Sequence, residues 1–464
     1  MGMVVKVIDC EIGENTCFVS HNVAKEFSLT DGKKYHLKFG QCKAQVKIRI
    51  LNNGRDEVQL NSMIFSHLGI PEHLTTCMTM AEGGIALGPV LGIFVNPDYL
   101  GDLVKQHYRP TSMNMVRANE DQHAFVYFFS IGAVNWFDKK MEGCYYSFHQ
   151  NHWVKKWLPL PDVVYDRGVG FYSREKLLVE HFRDQFSPVG NITRINARDC
   201  LDKYWLFERL KRNINVRQYL PDTIRYKSIN DLIEMSKKYK TLYLKSFYGN
   251  RGNEVMAVVT LAENSFECSF FSLGKPKQTR VNDVEALSEQ IGNFFKDKKF
   301  IVQQGIELIQ HEGSNTDMRI LVQKDKNGRW ASVYIVAIKG RRGSLITAGD
   351  DKGARFYDFI DLLPLALDIS IRKARSLEKQ MIDAAICIAG AIENEYGPFG
   401  EIGMDMALDK NQKIWFIEAN SKPDRELEPG DKGNKRGVLS CWYTIQYAKY
   451  LSGFNRRDNK IGGG

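Results

Sequence analysis

Near the C-terminal end of the chain, residues 403–423 form the stretch that most restricts what the sequence can fold into. Two short apolar segments flank a polar turn at residues 409–412, and this pattern predicts a β-hairpin. Polar side chains interrupt the second segment near its end, where Glu418 and Asn420 follow a run of apolar residues. Polar groups in a buried strand need partners, so these two side chains point to a site.

The expected register of the hairpin brings three oxygen-bearing side chains together. Side chains alternate between the faces of a strand, so one face should present the following residues: Ile414, Phe416, Glu418 and Asn420. A turn of even length would place Asp405 opposite Phe416, on the face of Glu418. Asp405, Glu418 and Asn420 would then converge as oxygen ligands of the kind that Mg²⁺ prefers. The alternative is an ordinary hairpin whose solvated charges only cap its end.

These residues also carry a resemblance to a known family. Residues 400–423 resemble the metal-binding end of the ATP-grasp superfamily, and the likeness extends over about residues 199–451. The amino-acid sequence at residues 87–89 and 417–423 is similar to that of the YheC/YheD branch, which is named for endospore coat association in spore-forming bacilli. The resemblance implies a metal site at Asp405, Glu418 and Asn420, with ATP and Mg²⁺ as cofactors.

Two or three domains are expected, because 464 residues exceed what one typical core holds. Residues 1–80 contain short β segments between polar turns, which predicts a small β-rich domain, a barrel or a sandwich. Strands alternate with helix-compatible stretches over residues 81–190, which predicts an α/β layer. The resemblance identifies that layer as a pre-ATP-grasp domain. It makes residues 191–464 the ATP-grasp domain, an α+β fold of two subdomains that grip ATP.

Composition indicates a cytoplasmic globular protein. Hydrophobic residues are 43% and charged residues 26%, and the net charge of +9 is compatible with phosphate ligands or an acidic substrate. Nine scattered cysteines without a C-x-x-C motif indicate reduced thiols. The longest weakly polar run, residues 83–95, is too short to span a bilayer, and no signal peptide is evident. No motif of interleaved aromatic and basic residues appears, so a nucleic-acid partner is not expected. No membrane partner is expected either, because no apolar run is long enough to span a bilayer.

A strand that ends in lysine precedes a loop containing glycines in the middle of the chain. The strand ends in Lys245, and residues 248–253 then include Gly249 and Gly252. Glycines let backbone N–H groups approach phosphate oxygens, and a lysine adds a positive charge, although Gly-Asn turns also join ordinary hairpins. The resemblance assigns Lys203, on a preceding amphipathic helix, and Lys245 to the nucleotide phosphates. It assigns Gly249 and Gly252 to the loop that closes over them.

The resemblance places the adenine-binding hinge at residues 300–306. The adenine edge would there be bound mostly by backbone N–H and C=O groups between two halves of the fold. The residues expected to bind the nucleotide at this hinge are Gln303, Gln304, Gly305 and Ile306. Either Glu307 or Asp317 is expected to reach the ribose.

Two basic residues are expected to act in the chemistry. Arg319 belongs to a D-x-R strand and, in the resemblance, lies where the charge of an acyl phosphate and its transition state needs a cation. Lys339 ends the next strand and matches a second basic position. The following loop departs from the family, because many members have an asparagine and paired glycines where residues 345–354 contain an acidic pair. The acceptor substrate therefore stays open.

The leading hypothesis is an ATP-dependent carboxylate–amine or carboxylate–thiol ligase that acts through an acyl phosphate and releases ADP and phosphate. Its partners would be a small-molecule or peptide carboxylate and an amine acceptor. The sequence identifies neither of these, nor the oligomeric state. Two alternatives stay open: a small-molecule kinase on the same fold, and a spore coat-associated binding or structural protein that retains a nucleotide site.

Overall fold

The computed structural model describes residues 2–11, 15–81, 84–186, 192–196, 201–248, 254–272, 275–345, 353–424 and 431–455, with the backbone alone for residues 431–434. The chain divides into two compact units. The first unit comprises Met1–Asp199, Lys324–Arg329 and Pro429–Gly464, and the second comprises Cys200–Gln323 and Trp330–Glu428. The division into three domains stays a proposal, and the two units group residues 429–464 with the N-terminal part of the chain.

A closed barrel of seven strands begins the first unit. Its strands and short helices are β1 (Met3–Cys10), β2 (Thr16–Ser20), α1 (His21–Glu26), β3 (Lys34–Phe39), β4 (Cys42–Leu51), β5 (Glu57–Asn61), α2 (Ser62–Leu68), β6 (Thr75–Ala81) and β7 (Gly84–Gly88). The strand order is β1-β5-β2-β4-β3-β7-β6. Alternating burial builds the barrel, as in β1, where Val5 and Val7 are buried whereas Val4 and Lys6 are exposed. The β-rich character predicted for this region is confirmed.

A mixed sheet completes the first unit, in the order β10-β11-β9-β8-β13-β14, with β12 paired to β11. Its elements are β8 (Val90–Phe94), α3 (Pro97–Val104), α4 (Pro110–Asn119), β9 (Phe125–Phe129), β10 (Val134–Asn135), β11 (Lys140–Ser147), β12 (His152–Pro159), β13 (Val163–Asp166), a 3₁₀ turn (Ser173–Glu175), α5 (Lys176–Gln185) and β14 (Thr193–Ile195). β8 is buried along its whole length, as expected for a parallel strand covered on both faces. The C-terminal helix, Asp431–Leu451, packs against α4.

The second unit contains two sheets, and the first of them has the order β15-β20-β16-β17-β18-β19. Its elements are α6 (Lys203–Leu210), a 3₁₀ turn (Arg217–Tyr219), β15 (Thr223–Arg225), α7 (Ile229–Ser236), β16 (Thr241–Ser246), β17 (Val255–Ala262), β18 (Ser265–Ser272), β19 (Lys275–Val281), α8 (Val284–Phe295) and β20 (Phe300–Gln304). On β16, Leu242 and Leu244 enter the hydrophobic core. Alternation therefore turns Tyr243 and Lys245 to the opposite face.

The second sheet of this unit has the order β24-β23-β22-β25-β26, with β21 paired to β22. Its elements are β21 (Gln310–His311), β22 (Ser314–Lys324), β23 (Trp330–Lys339), β24 (Arg355–Asp358), α9 (Phe359–Leu367), α10 (Ile371–Tyr396), β25 (Glu401–Leu408) and β26 (Ile414–Asn420). Apolar residues at a spacing near 3.6 bury one face of α10 in the core, including Leu377, Met381 and Ile388. The helix ends at Gly397, whose φ of 91° is readily adopted by glycine.

The register of the hairpin formed by β25 and β26 differs from the prediction. Met406 lies opposite Phe416, but a register shift of the β-bulge type follows, and Asp405 lies opposite Glu418. The predicted pairing of Asp405 with Phe416 is therefore wrong. The prediction fails for two physical reasons. The connection comprises residues 409–413 and is longer than the predicted turn, and the bulge inserts an extra residue into β26.

The bulge also places Glu418 on the other face of β26. Ile414 and Phe416 pack in the core with α10, whereas Ile417 packs against a separate cluster. Glu418 lies opposite Asp405, whose two neighbours on β25 are buried in the core, so both carboxylates face away from the core. The expectation that Glu418 shares a face with Ile414 and Phe416 is wrong, because two successive residues of the bulge lie on the same side.

Candidate functional site

Two carboxylates face each other across the hairpin of β25 and β26. Asp405 and Glu418 are cross-strand neighbours, and their carboxyl groups are close enough for Glu418 to raise the pKa of Asp405. Their side chains are 16% and 24% exposed. Asn420 follows two residues after Glu418 and lies opposite Gly403, so it extends from the same face. The structure thus brings together Asp405, Glu418 and Asn420, the three predicted metal ligands.

Two cations pair directly with these carboxylates. Arg319 lies on β22, opposite Asp405, and its guanidinium engages both carboxylate oxygens, with 3.0 Å between Nη2 and Oδ2. Lys203, the first residue of α6, places Nζ 3.2 Å from Oε2 of Glu418. The planar guanidinium of an arginine can bind both oxygens of one carboxylate. The Arg319–Asp405 pair therefore restricts the orientation of its side chains more than the Lys203–Glu418 pair does.

Burial and neighbouring charges separate the pKa values of the two acids. Burial, together with the adjacent Glu418, raises the pKa of Asp405 above its ordinary value despite the opposing effect of Arg319. Burial alone would raise the pKa of Glu418 as well, but the charges of Lys203, Lys245 and Arg319 outweigh it and lower that pKa to about 2. Glu418 therefore stays ionised at neutral pH and holds the surrounding cations in place.

Lys245 is the third cation of this cluster and comes from the other sheet of the unit. Its Nζ donates to Oε1 of Gln303 at 2.7 Å, and Nε2 of Gln303 donates to Oγ1 of Thr223 at 3.0 Å. Burial lowers the pKa of Lys245 to about 8, although the nearby carboxylates of Glu418 and Asp405 counteract part of that effect. Lys245 is therefore expected to lose its proton near pH 8, well below the ordinary pKa of a lysine.

The donor set fits a hard divalent cation. Carboxylate and amide oxygens are the ligands that Mg²⁺ prefers, and Mg²⁺ usually keeps water or phosphate oxygens in the rest of its shell. Within the described ranges, no group of three or more His, Cys, Asp or Glu side chains is arranged to hold a metal ion. A magnesium ion bound by Asp405, Glu418 and Asn420 would therefore also need phosphate or water oxygens. The nearby Lys203, Lys245 and Arg319 suit phosphate groups as well.

The predicted hinge comprises β20, which is paired on both sides, and the residues just after it. The backbone N–H of Gln304 donates to the carbonyl of Asp222 at 2.8 Å, and that of Gly305 donates to the carbonyl of Thr241 at 2.8 Å. A Cβ atom at Gly305 would lie 2.5 Å from that carbonyl, so the close approach requires glycine. These two amides are already used within the sheet. Ile306 packs against a small apolar cluster beyond the strand.

Two residues of the predicted set are not brought to the carboxylates. Glu307 is exposed and pairs with Lys410, with 3.2 Å between Nζ and Oε2. Lys339, at the end of β23, forms its ion pair with Glu312. Asp317, in contrast, is buried close enough to Lys245 to raise the pKa of that lysine. Gly249 and Gly252 lie outside the described residues, as does most of the loop that departs from the family pattern.

Sequence reasoning missed two residues that support the site. Tyr243 lies on the same face of β16 as Lys245, and its hydroxyl donates to the carbonyl of Leu345 at 2.6 Å. The alternation of β16 carries a signal for Tyr243, because a polar side chain two positions from Lys245 must share its face. Thr223 supports Gln303 from a neighbouring strand, and no local pattern in the sequence indicates this contact.

Comparisons with known proteins match this chain to one protein family. Residues 191–451 match the protein-family model described as YheC/D like ATP-grasp. The chain is 24% identical over 450 residues to the endospore coat-associated protein YheD of Bacillus subtilis (strain 168), covering 95% of this chain and 94% of YheD. It is 21% identical over 292 residues to the endospore coat-associated protein YheC of the same strain, covering 62% of this chain and 77% of YheC. Among solved structures, the VanG D-Ala:D-Ser ligase from Enterococcus faecalis matches with a TM-score of 0.45 and 14% identity, covering 78% of this chain and 99% of that one.

Proposed function

The chain belongs to the YheC/D-like ATP-grasp family, and we propose that it is an ATP-dependent ligase that joins a carboxylate to an amine or a thiol. The observation that carries the proposal is the cluster of Asp405 and Glu418 with Lys203, Lys245 and Arg319. Two ionisable acids on neighbouring strands, surrounded by three cations from three different elements, are suited to bind a polyanion and a divalent cation.

In the proposed site, Asp405, Glu418 and Asn420 would hold Mg²⁺, and Lys203 and Lys245 would hold the phosphates of ATP. When bound, Mg²⁺ supplies charge neutralisation at the phosphate oxygens. Glu418 remains ionised because its pKa is about 2, so its carboxylate would be available as a ligand at any physiological pH. Lys203 already approaches Glu418 from α6, and the same position lets its ammonium reach a phosphate oxygen beside the carboxylate.

The proposed reaction has two steps that balance without any further reactant. A carboxylate oxygen of the substrate attacks the γ-phosphorus of ATP, the bond to the β–γ bridging oxygen breaks, and ADP leaves. An amine or thiol then attacks the acyl carbon of the acyl phosphate, phosphate leaves, and the proton of the nucleophile passes to solvent. Arg319 would stabilise the charge of the transferred group. Lys339 is a second candidate for that role only if it exchanges Glu312 for the substrate.

The nucleoside part of ATP is proposed to bind at the end of β20. Because the amides of Gln304 and Gly305 donate within the sheet, the adenine edge would meet the backbone after them, at Ile306 and Glu307. Of the two candidates for the ribose contact, we favour Asp317, since Glu307 pairs with Lys410 and Asp317 lies near Lys245. Gln303 would act through its side chain on Lys245.

The location and partners of the protein are also proposals. YheD and YheC are described as endospore coat-associated proteins, so we propose an association with the spore coat for this chain, following synthesis in the cytoplasm. In the portion of the chain that the structure describes, no helix is long and apolar enough to cross a membrane. The proposed partners are a small-molecule or peptide carboxylate and an amine acceptor.

A substrate screen tests the proposed function. ADP release from ATP is measured with panels of carboxylates and amines, and the products are identified by mass spectrometry. Glu418→Gln is the matched inactive variant, because it removes a carboxylate without changing side-chain size. Ligation that depends on both substrates and is lost in Glu418→Gln supports a ligase. A stable phosphate ester would show a kinase, and nucleotide binding without turnover on any substrate would favour a coat protein with a retained nucleotide site.

A further inference from the structure

We infer, on the basis of the proposed nucleotide site, that Thr223 and Gln303 are positioning residues whose hydrogen-bond chain fixes the ammonium group of Lys245 for phosphate binding. Neither residue is assigned this role by the family resemblance. The chain runs from Lys245 through the side-chain amide of Gln303 to the hydroxyl of Thr223 and ends at the carbonyl of Pro221.

The three side chains are brought together by neighbouring strands of one sheet. β20 lies between β15 and β16, and Gln303 lies opposite Thr223 on one side and opposite Tyr243 on the other. Lys245 follows two residues after Tyr243, so it extends from the same face at a diagonal position that a long side chain can reach. This chain of hydrogen bonds therefore follows from the sheet register, and no loop is needed to complete it.

The donor-to-acceptor direction of this chain of hydrogen bonds is fixed at both ends. A lysine ammonium has donors only, so the atom of Gln303 that faces Lys245 must be the carbonyl oxygen Oε1, at 2.7 Å. The single hydroxyl hydrogen of Thr223 is donated to the carbonyl of Pro221 at 2.9 Å. Thr223 must then accept from Nε2 of Gln303, at 3.0 Å. Each end independently selects the same orientation of the amide.

Gln303 and Thr223 are buried, so water cannot replace either side chain as a hydrogen-bond partner. Gln303 is 2% exposed and Thr223 is 1% exposed. Without the hydroxyl, Nε2 of Gln303 would be a buried donor with no acceptor, and only the contact with Lys245 would hold the amide in place.

The neutrality of Gln303 matters for the charge of the site. Lys245 is surrounded by charges from several elements: Glu418, Lys203, Asp405 and Asp317. A neutral acceptor at position 303 orients the ammonium without neutralising it, and this leaves its positive charge available to a phosphate. A carboxylate at the same position would compete with the phosphate for the lysine.

The test compares Thr223→Val, which keeps the shape and removes the hydroxyl, with Thr223→Ser, which keeps the hydroxyl. The first readout needs no nucleotide: Lys245 is labelled by acetic anhydride over a range of pH, and mass spectrometry gives the midpoint of its reactivity. We expect this midpoint to fall in Thr223→Val, because Gln303, the acceptor of the charged ammonium, is no longer anchored by Thr223, and to stay at the wild-type value in Thr223→Ser. The second readout is the calorimetric affinity for the ATP analogue AMP-PNP with Mg²⁺, expected to weaken about tenfold in Thr223→Val only.

An unchanged midpoint for Lys245 in a folded Thr223→Val protein would overturn the inference, whatever the protein's activity. A lower stability in urea with an unchanged midpoint would show that Thr223 has a merely structural role, and this also overturns it. Gln303→Met serves as the second variant if Thr223→Val does not fold, with the same expected fall of the midpoint. The failure of the proposed function looks different, because wild-type protein that binds AMP-PNP and shows the Thr223 effect, but ligates no substrate, would refute only the ligase.

Discussion

Replacing Lys245 with methionine is expected to change how the stability of the protein depends on pH. Burial lowers the pKa of Lys245 from 10.5 to about 8 in the folded protein, whereas the unfolded chain keeps the ordinary value. Between these two pKa values the unfolded state binds a proton that the folded state does not. The contribution of Lys245 is therefore fully present above the unfolded pKa and is lost as the pH falls through about 8.

The size of this effect follows from the shift. A lowering of the pKa from 10.5 to about 8 corresponds to about 3 kcal/mol, of which about 2 kcal/mol should develop between about pH 7 and about pH 9.5. Lys245 is half-buried, so solvent screening makes these figures upper values. Methionine has no titrating group, and Lys245→Met should lack this gain completely.

Urea unfolding of wild type and Lys245→Met at the two pH values measures the effect. The free energy of unfolding of wild type relative to the variant should rise with pH by up to about 2 kcal/mol. Lys237→Met is the matched control, because Lys237 is an exposed lysine of α7 whose replacement should give no such pH dependence. A wild-type protein that gains nothing over Lys245→Met at the higher pH would refute the burial of this ammonium, and with it the restricted geometry of the cluster.

Three further substitutions probe the site and the sheet that supports it. Glu418→Gln should keep the circular dichroism spectrum of wild type and lower ATP-dependent ADP release by roughly two orders of magnitude or more, because a carboxylate ligand is lost; wild-type turnover would refute the metal assignment. Arg319→Lys should lower kcat about a hundredfold with a smaller change in the KM for ATP, since lysine cannot fork onto Asp405 and the transferred group; an unchanged kcat would remove Arg319 from the chemistry. Gly305→Ala should lower the free energy of unfolding by about 1–3 kcal/mol, since its Cβ would lie 2.5 Å from the carbonyl of Thr241; urea unfolding at the wild-type midpoint would contradict this packing.

The hairpin could be predicted from the sequence because its signal is local. Apolar segments around a polar turn indicate β25 and β26, and carboxylates at the end of an apolar run indicate a site there. The register could not be predicted, since it depends on the length of the connection and on the bulge near Asp405. The convergence of Asp405 and Glu418 was expected for a regular hairpin, but it arises from an irregular one.

The partners of the site residues depend on contacts between distant segments. The family resemblance assigned Arg319 to the chemistry, but the pairing of Arg319 with Asp405 follows from the neighbouring positions of β22 and β25. Lys245 could be expected near phosphates from the loop that follows it, whereas its bond to Gln303 requires the order of β16 and β20. Strand order is set by packing of the whole unit, and a local sequence pattern does not contain it.

The family resemblance implied more about the site than spacing alone could. The assignment of Lys203 came from the resemblance, and the structure places this lysine 3.2 Å from Glu418. The resemblance also assigned Lys339, whose ion pair is instead with Glu312. The roles of these residues in catalysis stay predictions until they are tested.

Trapping the activated substrate tests the central claim, phosphoryl transfer from ATP to a carboxylate, most directly. Hydroxylamine is added to the protein with ATP, Mg²⁺ and the carboxylate found in the substrate screen, and the hydroxamate and the nucleotide products are quantified together. The cluster of Asp405, Glu418 and Arg319 is proposed to act at the γ-phosphate, so hydroxamate and ADP should accumulate in equal amounts. Hydroxamate accompanied by AMP and pyrophosphate would contradict the account, because the carboxylate would then be activated at the α-phosphate.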